Sequence, residues 1–168
     1  MQESGSGTRL NQMPLSAFKP LFSTLNFPQI AALEGYHQAE FVGPRWLRRL
    51  AGPGLRLGGM SGWWGKLFDL QGRGSNVVRD GRGLHPVLPI TAHIRPSLID
   101  EKPCAAVVYP DRARWPWPWI TDELRWLEEE KTLLGMMIYQ GMGLQRLALP
   151  FLLHSVGKTV ENSGENPV

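Results

Sequence analysis

The stretch ITDELRWLEEEKTLLGMMIYQGMGLQRLALPFLLH, residues 120–154, decides the fold. It holds three apolar runs, Ile120–Glu128, Leu133–Gln140 and Leu144–His154, separated by short turn signals at Glu129–Lys131 and Gly141–Gly143. Glycine supplies the positive φ that such turns need. Runs of this length with tight connections are predicted to be neighbouring antiparallel strands. Within the first run, period two puts Ile120, Leu124 and Trp126 on one face, and Asp122 falls on that face with them. A carboxylate turned inward needs a partner, and Arg95, Lys66 or backbone N–H groups are the candidates.

Working towards the N-terminus, the same period recurs. Cys104–Tyr109 follows a turn at Asp100–Pro103. Val87–Arg95 sets Leu88, Ile90, Ala92 and Ile94 against Thr91, His93 and Arg95. Asn76–Arg79 precedes Asp80-Gly81, a hairpin signal. Gly62–Leu70 is predicted to carry Trp64, Lys66, Phe68 and Leu70 on one face and Trp63, Gly65 and Leu67 on the other. Tyr36–Val42 alternates too. Pro89, Pro96 and Pro150 are expected at edges, bulges or strand ends. Residues 43–62 are rich in Gly and Pro, with a helical turn at Arg45–Leu50. Residues 14–34 are the main helical region, ending in a short turn at Gln29–Leu33.

Seven to nine short strands after one helical segment predict a mostly β, antiparallel barrel, closed by its last strand and plugged by the N-terminal helix; a sandwich is the alternative. Residues 1–12 and 157–168 read as polar tails around one domain, 13–156. Length and composition agree: 168 residues, 42% hydrophobic and 20% charged, describe one globular domain with a core of its own. The single cysteine, Cys104, permits no intrachain disulfide and reads as a buried small residue. With no secretory leader evident and no apolar run long enough to span a bilayer, the expected location is cytoplasmic.

The net charge is +3. The arginines are scattered along the chain, which argues against nucleic-acid binding and is compatible with weak peripheral contact with anionic membranes. No histidine pair has metal-ligand spacing, and no nucleophile elbow or phosphate loop is present, so neither a metal nor another cofactor is expected. His93 and His154 are the only residues placed to ligate a haem iron. The run Trp115-Pro116-Trp117-Pro118-Trp119 is predicted to be extended and non-helical, because proline holds its own φ and the preceding residue. It would rim a cavity mouth, cover a barrel end or meet a membrane interface, unless its rings fill the core.

Several blocks resemble the GXWXG family and its companion domain of unknown function. Gly35-Tyr36-His37-Gln38-Ala39 is similar to a degenerate Gly-x-Trp-x-Gly opening, with Tyr36 for the tryptophan and Ala39 for the second glycine. Trp63-Trp64-Gly65-Lys66-Leu67-Phe68 resembles the Trp-x-Gly-Lys-x-Phe block, although Asn76-Val77 stands where that family has Asn-Pro. Tyr109, Trp115-Pro116, Asp122-Glu123-Leu124-Arg125, Leu134-Gly135-Met136 and Phe151-Leu152-Leu153 resemble the later blocks in order. The resemblance implies a calycin-like, lipocalin-like barrel and no particular chemistry.

Such a barrel holds one small ligand in a mostly apolar interior. The expected wall is Trp64, Phe68, Trp126, Met136 and Phe151, with Lys66, Asp122 or Arg125 orienting a polar head; the ligand would be a lipid, isoprenoid or aromatic metabolite. Two other readings fit the same residues. One is a cofactor-independent isomerase, cyclase or hydrolase using Asp122 or Glu123 with His93. The other is a structural or protein-interaction domain, dimeric through exposed tryptophans.

Overall fold

The structure is a computed structural model that describes residues 9–141 and 147–158. Eight strands close into an antiparallel barrel in simple sequence order. They are β1 (Gly35–Phe41), β2 (Trp63–Phe68), β3 (Arg73–Asp80), β4 (Gly83–Pro96), β5 (Pro103–Val108), β6 (Ile120–Glu128), β7 (Thr132–Tyr139) and β8 (Ala148–Gly157). Closure comes from β8 pairing with β1, from Phe41↔Phe151 to Tyr36↔Gly157. Every strand then has two neighbours, so no edge is left with unpaired backbone groups.

The prolines sit where a missing N–H is tolerated. Pro96 ends β4, and Pro86 and Pro89 flank a register shift between Ser75 and Val77 of β3. Pro150 pairs with β7 but precedes the pairing of β8 with β1.

Alternation sorts the apolar side chains into two clusters, one on each side of the wall. The inner cluster includes Phe68, Ile90, Ala92, Ala105, Val107, Tyr109, Ile120, Leu124, Trp126, Leu133, Phe151 and Leu153. The outer one includes Cys104, Ala106, Leu134, Met136, Ile138 and Leu152, and it is covered by the N-terminal segment. Helix α1 (Phe18–Thr24) lays Phe18 and Phe22 on that outer wall. Leu10, in a stretch whose polarity suggests a tail, is buried there as well. The N-terminal helix therefore clads the barrel instead of plugging it. The plug is the following 3-10 turn, Ile30–Leu33, which sends Leu33 into the inner cluster at the lower end.

Two connections roof the upper end. The β1–β2 connection contains α2 (Arg45–Leu57), far longer than the single turn the sequence suggests. Its interior Pro53 interrupts the helical pattern, yet Leu47 is buried and Leu55 packs against the inner cluster. The β5–β6 connection carries the Trp-Pro run, which is not extended. It forms a 3-10 turn at Trp117–Trp119, with a cis Trp115–Pro116 peptide. Its backbone bonds are donated by Trp117 to Arg114 and by Trp119 to Pro116, so the prolines need donate nothing. Trp117 is buried against Tyr109 and donates its indole N–H to the Gly58 carbonyl at 2.7 Å, tying the two roof segments together. Trp115 and Trp119 point outward and are exposed.

Candidate functional site

Inside the barrel, below this roof, lies a cluster of polar side chains in otherwise apolar surroundings. Lys66 on β2 and Asp122 on β6 face each other across the interior, Nζ to Oδ2 at 2.8 Å, both almost without solvent exposure. Asp122 points inward because β6 alternates strictly over Ile120, Asp122, Leu124 and Trp126, as the sequence predicts. Lys66 is the partner among the candidates considered.

The ammonium of Lys66 has three donors. They reach Asp122, the Asn76 Oδ1 at 2.9 Å and the Tyr109 hydroxyl at 3.1 Å. Tyr109 in turn donates to Asp122 Oδ2 at 2.6 Å, and the Trp63 indole donates to Asn76 Oδ1 at 3.1 Å. Burial, then the Asp122 charge and the hydrogen bond to it, hold the Tyr109 hydroxyl well above its ordinary pKa. The phenol is thus neutral and serves as a donor. The lysine also lies 5.5 Å from the Trp63 ring and 5.4 Å from the Tyr109 ring, within range of a cation–π attraction.

One group in this cluster is left over. Asn76 is fully buried, and its Nδ2 has no hydrogen-bond partner among the described residues. A buried donor without an acceptor costs about 1–3 kcal/mol. Above it, the inner-face residues Trp63, Leu88, Met137 and Tyr139 are only half-buried. Those at the lower end, such as Leu33, Leu124, Leu133 and Leu153, are fully buried. The inner face is fully buried at the base and more exposed towards the roofed end, beside the polar cluster. Phe151 marks the boundary: its ring lies so close over Gly135 that a Cβ there would overlap it.

The remaining sequence candidates divide between the two sides of the wall. Phe68, Trp126 and Phe151 belong to the inner cluster with Lys66 and Asp122. Trp64, Arg125 and Met136 do not. A bulge between Trp63 and Gly65 shifts the β2 register, so Trp63 faces the interior while Trp64 turns to Tyr36 and Arg79. Met136 lies in the outer cluster, and its neighbour Met137 packs on the inner one.

Arg125 also faces outward. It holds Asp100 by a two-pronged ion pair at 2.7 and 2.8 Å and donates to the carbonyls of Phe22, Lys102 and Pro103. Its guanidinium lies 4.5 Å from the Phe22 ring. This side chain therefore fastens α1 and the β4–β5 turn to β6. The hydrogen bonds from Arg125 hold the Asp100 carboxyl far below the usual range.

The acid–base pairing of Asp122 or Glu123 with His93 is likewise not assembled. Glu123 is on the outer side, accepting hydrogen bonds from Ser97 Oγ and, at 2.6 Å, from the Leu98 N–H. Burial raises its pKa, with those two bonds opposing. His93 is exposed on the outer wall beside Ala106, so Asp122 is separated from it by the sheet. His154, the other histidine considered for haem, also faces outward and contacts Glu40 and Thr132. Among the described residues, no three His, Cys, Asp or Glu side chains converge on a metal position.

Tyr109, Asn76 and Trp63 complete the cluster without having been singled out from the sequence as site residues. The signal for Tyr109 is that Ala105 and Val107 share one face of β5 and Tyr109 continues their alternation just past its end. Asn76 is found by register, because it stands directly opposite Lys66.

No family model matches the chain, and no curated protein matches it by sequence. A protein from Thermomonospora curvata, known from its crystal structure, superposes with a TM-score of 0.64 at 19% identity, over 88% of this chain and 91% of its own. At that identity the likeness establishes the fold alone. No helix among the described residues is long and apolar enough to cross a membrane.

Proposed function

We propose that this protein binds one small, mainly apolar molecule in the upper part of the barrel. The polar end of that molecule is anchored at the cluster of Lys66, Asp122, Tyr109 and Asn76. The observation that carries this reading is the Asn76 amide: a fully buried donor, unpartnered, beside a lysine whose own donors are all taken. It asks for an acceptor, as a ligand carbonyl, hydroxyl or carboxylate would supply. Trp63 and Phe151 offer the apolar wall at that level, above Phe68 and Trp126 at the base, and the half-buried Met137 and Tyr139 offer the adaptable mouth. A fatty acid, isoprenoid or aromatic metabolite has the required combination.

The test is titration with a dansyl-labelled undecanoic acid, following energy transfer from the tryptophans. Saturable uptake is expected, weakened at least tenfold in Asn76→Leu. That factor is about 1.4 kcal/mol, one good hydrogen bond. Absence of saturable uptake, or equal affinity in the variant, would count against the anchor.

A further inference from the structure

Helix α2 presents a surface that the barrel interior does not explain. Its sequence, RWLRRLAGPGLRL, contains four arginines and no acidic residue. Residues along a helix step round by about 100°. Leu47 and Leu55 face the protein. Trp46, Leu50 and Leu57 fall together on another stripe, and they are 53%, 61% and 78% exposed. Arg45, Arg49 and Arg56 fall together on the stripe beside it. None of these three has an ion-pair partner among the described residues. Arg45, Arg48 and Arg49 also line a cleft of about 710 Å³ with Asn11 and Gln12.

The geometry points to α2 as a docking face for an anionic lipid surface, with Trp46, Leu50 and Leu57 entering the interfacial layer and Arg45, Arg49 and Arg56 meeting lipid phosphates. Three features select this occupant. An unpartnered apolar stripe flanked by arginine alone is complementary to a surface that is apolar beneath and negative above. Tryptophan and arginine are the residues that settle at that boundary. The Trp-Pro connection, bonded to the end of α2 through Trp117 and Gly58, adds Trp115 and Trp119, 67% and 53% exposed, at the same end of the barrel. Acidic side chains at this end are Asp80, which pairs with His85, and Asp111, which lines a separate cleft with Trp115 and Trp119. The face stands independently of whether the barrel carries a ligand.

The experiment is co-sedimentation of the full chain with phosphatidylcholine vesicles, with and without phosphatidylglycerol. Partition only into the anionic vesicles is expected, falling as salt is raised and accompanied by a blue shift of tryptophan emission. Each arginine is worth about fivefold in partition, so R45Q/R49Q is expected to weaken binding on the order of 25-fold. L50S/L57S is expected to abolish the blue shift. All four side chains project from the surface, and unchanged circular dichroism and melting would certify both variants as folded. No partition into anionic vesicles at low salt overturns the proposal, whatever else the protein binds, a DNA duplex included. Equal partition into neutral vesicles, or wild-type behaviour of both folded variants, overturns it as well.

Discussion

Replacing Lys66 by methionine probes how dry the barrel interior is. At 2.8 Å, the Lys66–Asp122 attraction is about 6 kcal/mol for an effective dielectric constant of about 20. Desolvating each ion opposes this by several kcal/mol, so the net contribution of the intact pair is small. Removing one partner is different, because methionine fills most of the lysine volume but leaves the Asp122 carboxylate buried with only the Tyr109 hydroxyl to satisfy it. The expected loss is about 3–5 kcal/mol, against a total stability of about 5–15 kcal/mol for an ordinary domain. Urea unfolding followed by tryptophan fluorescence would measure it. The double variant K66M/D122L removes both charges and is expected to recover at least half of the loss, the remainder reflecting the bonds forfeited by Tyr109 and Asn76. A loss below about 1 kcal/mol in K66M, typical of solvated pairs, would refute a dry interior pair.

Arg125→Met is expected to destabilise by a similar amount, about 3–5 kcal/mol, by the same urea assay, but without effect on uptake of the dansyl fatty acid, since Arg125 lies outside the wall. Acid should reveal the same pair. Asp100 is depressed when folded, so its contribution is fully present above its unfolded pKa near about 3.9 and is lost as pH falls below that. Acid titration should therefore show a steep loss of stability below about pH 4 that is blunted in Asp100→Asn. Burial pushes the Cys104 thiol up to about 12. Native protein should resist a thiol-reactive disulfide reagent at neutral pH and react once unfolded; rapid native reaction would contradict the buried placement.

The residues that were legible in the sequence are those governed by simple alternation. Period two alone set Asp122 inward among Ile120, Leu124 and Trp126, and made Lys66 a candidate partner. The same rule, carried one residue further, sends Arg125 and Met136 outward. Expecting both in the cavity followed from their chemistry and overrode their register. Trp64 could not be placed that way, because the bulge at Trp63/Gly65 breaks the period without a local signal. Helix α2 was hidden by Gly52, Pro53 and Gly54, which read as a loop until the packing of Leu47 and Leu55 is known. Its arginines look scattered along the chain and become a surface only when wound on a helix. The Trp-Pro run misled because rules for single prolines disfavour a helical turn, whereas the two N–H donors that this turn uses come from Trp117 and Trp119, each just after a proline.

A small amphiphile held against the Lys66 cluster in the upper barrel, as proposed, should be visible by native mass spectrometry of the protein as purified. The expected spectrum shows a bound species that is released on denaturation, has a largely apolar body and an oxygen-bearing head, and is depleted in Asn76→Leu. A spectrum of bare protein, with none of the dansyl fatty acid retained after loading, would contradict the proposal.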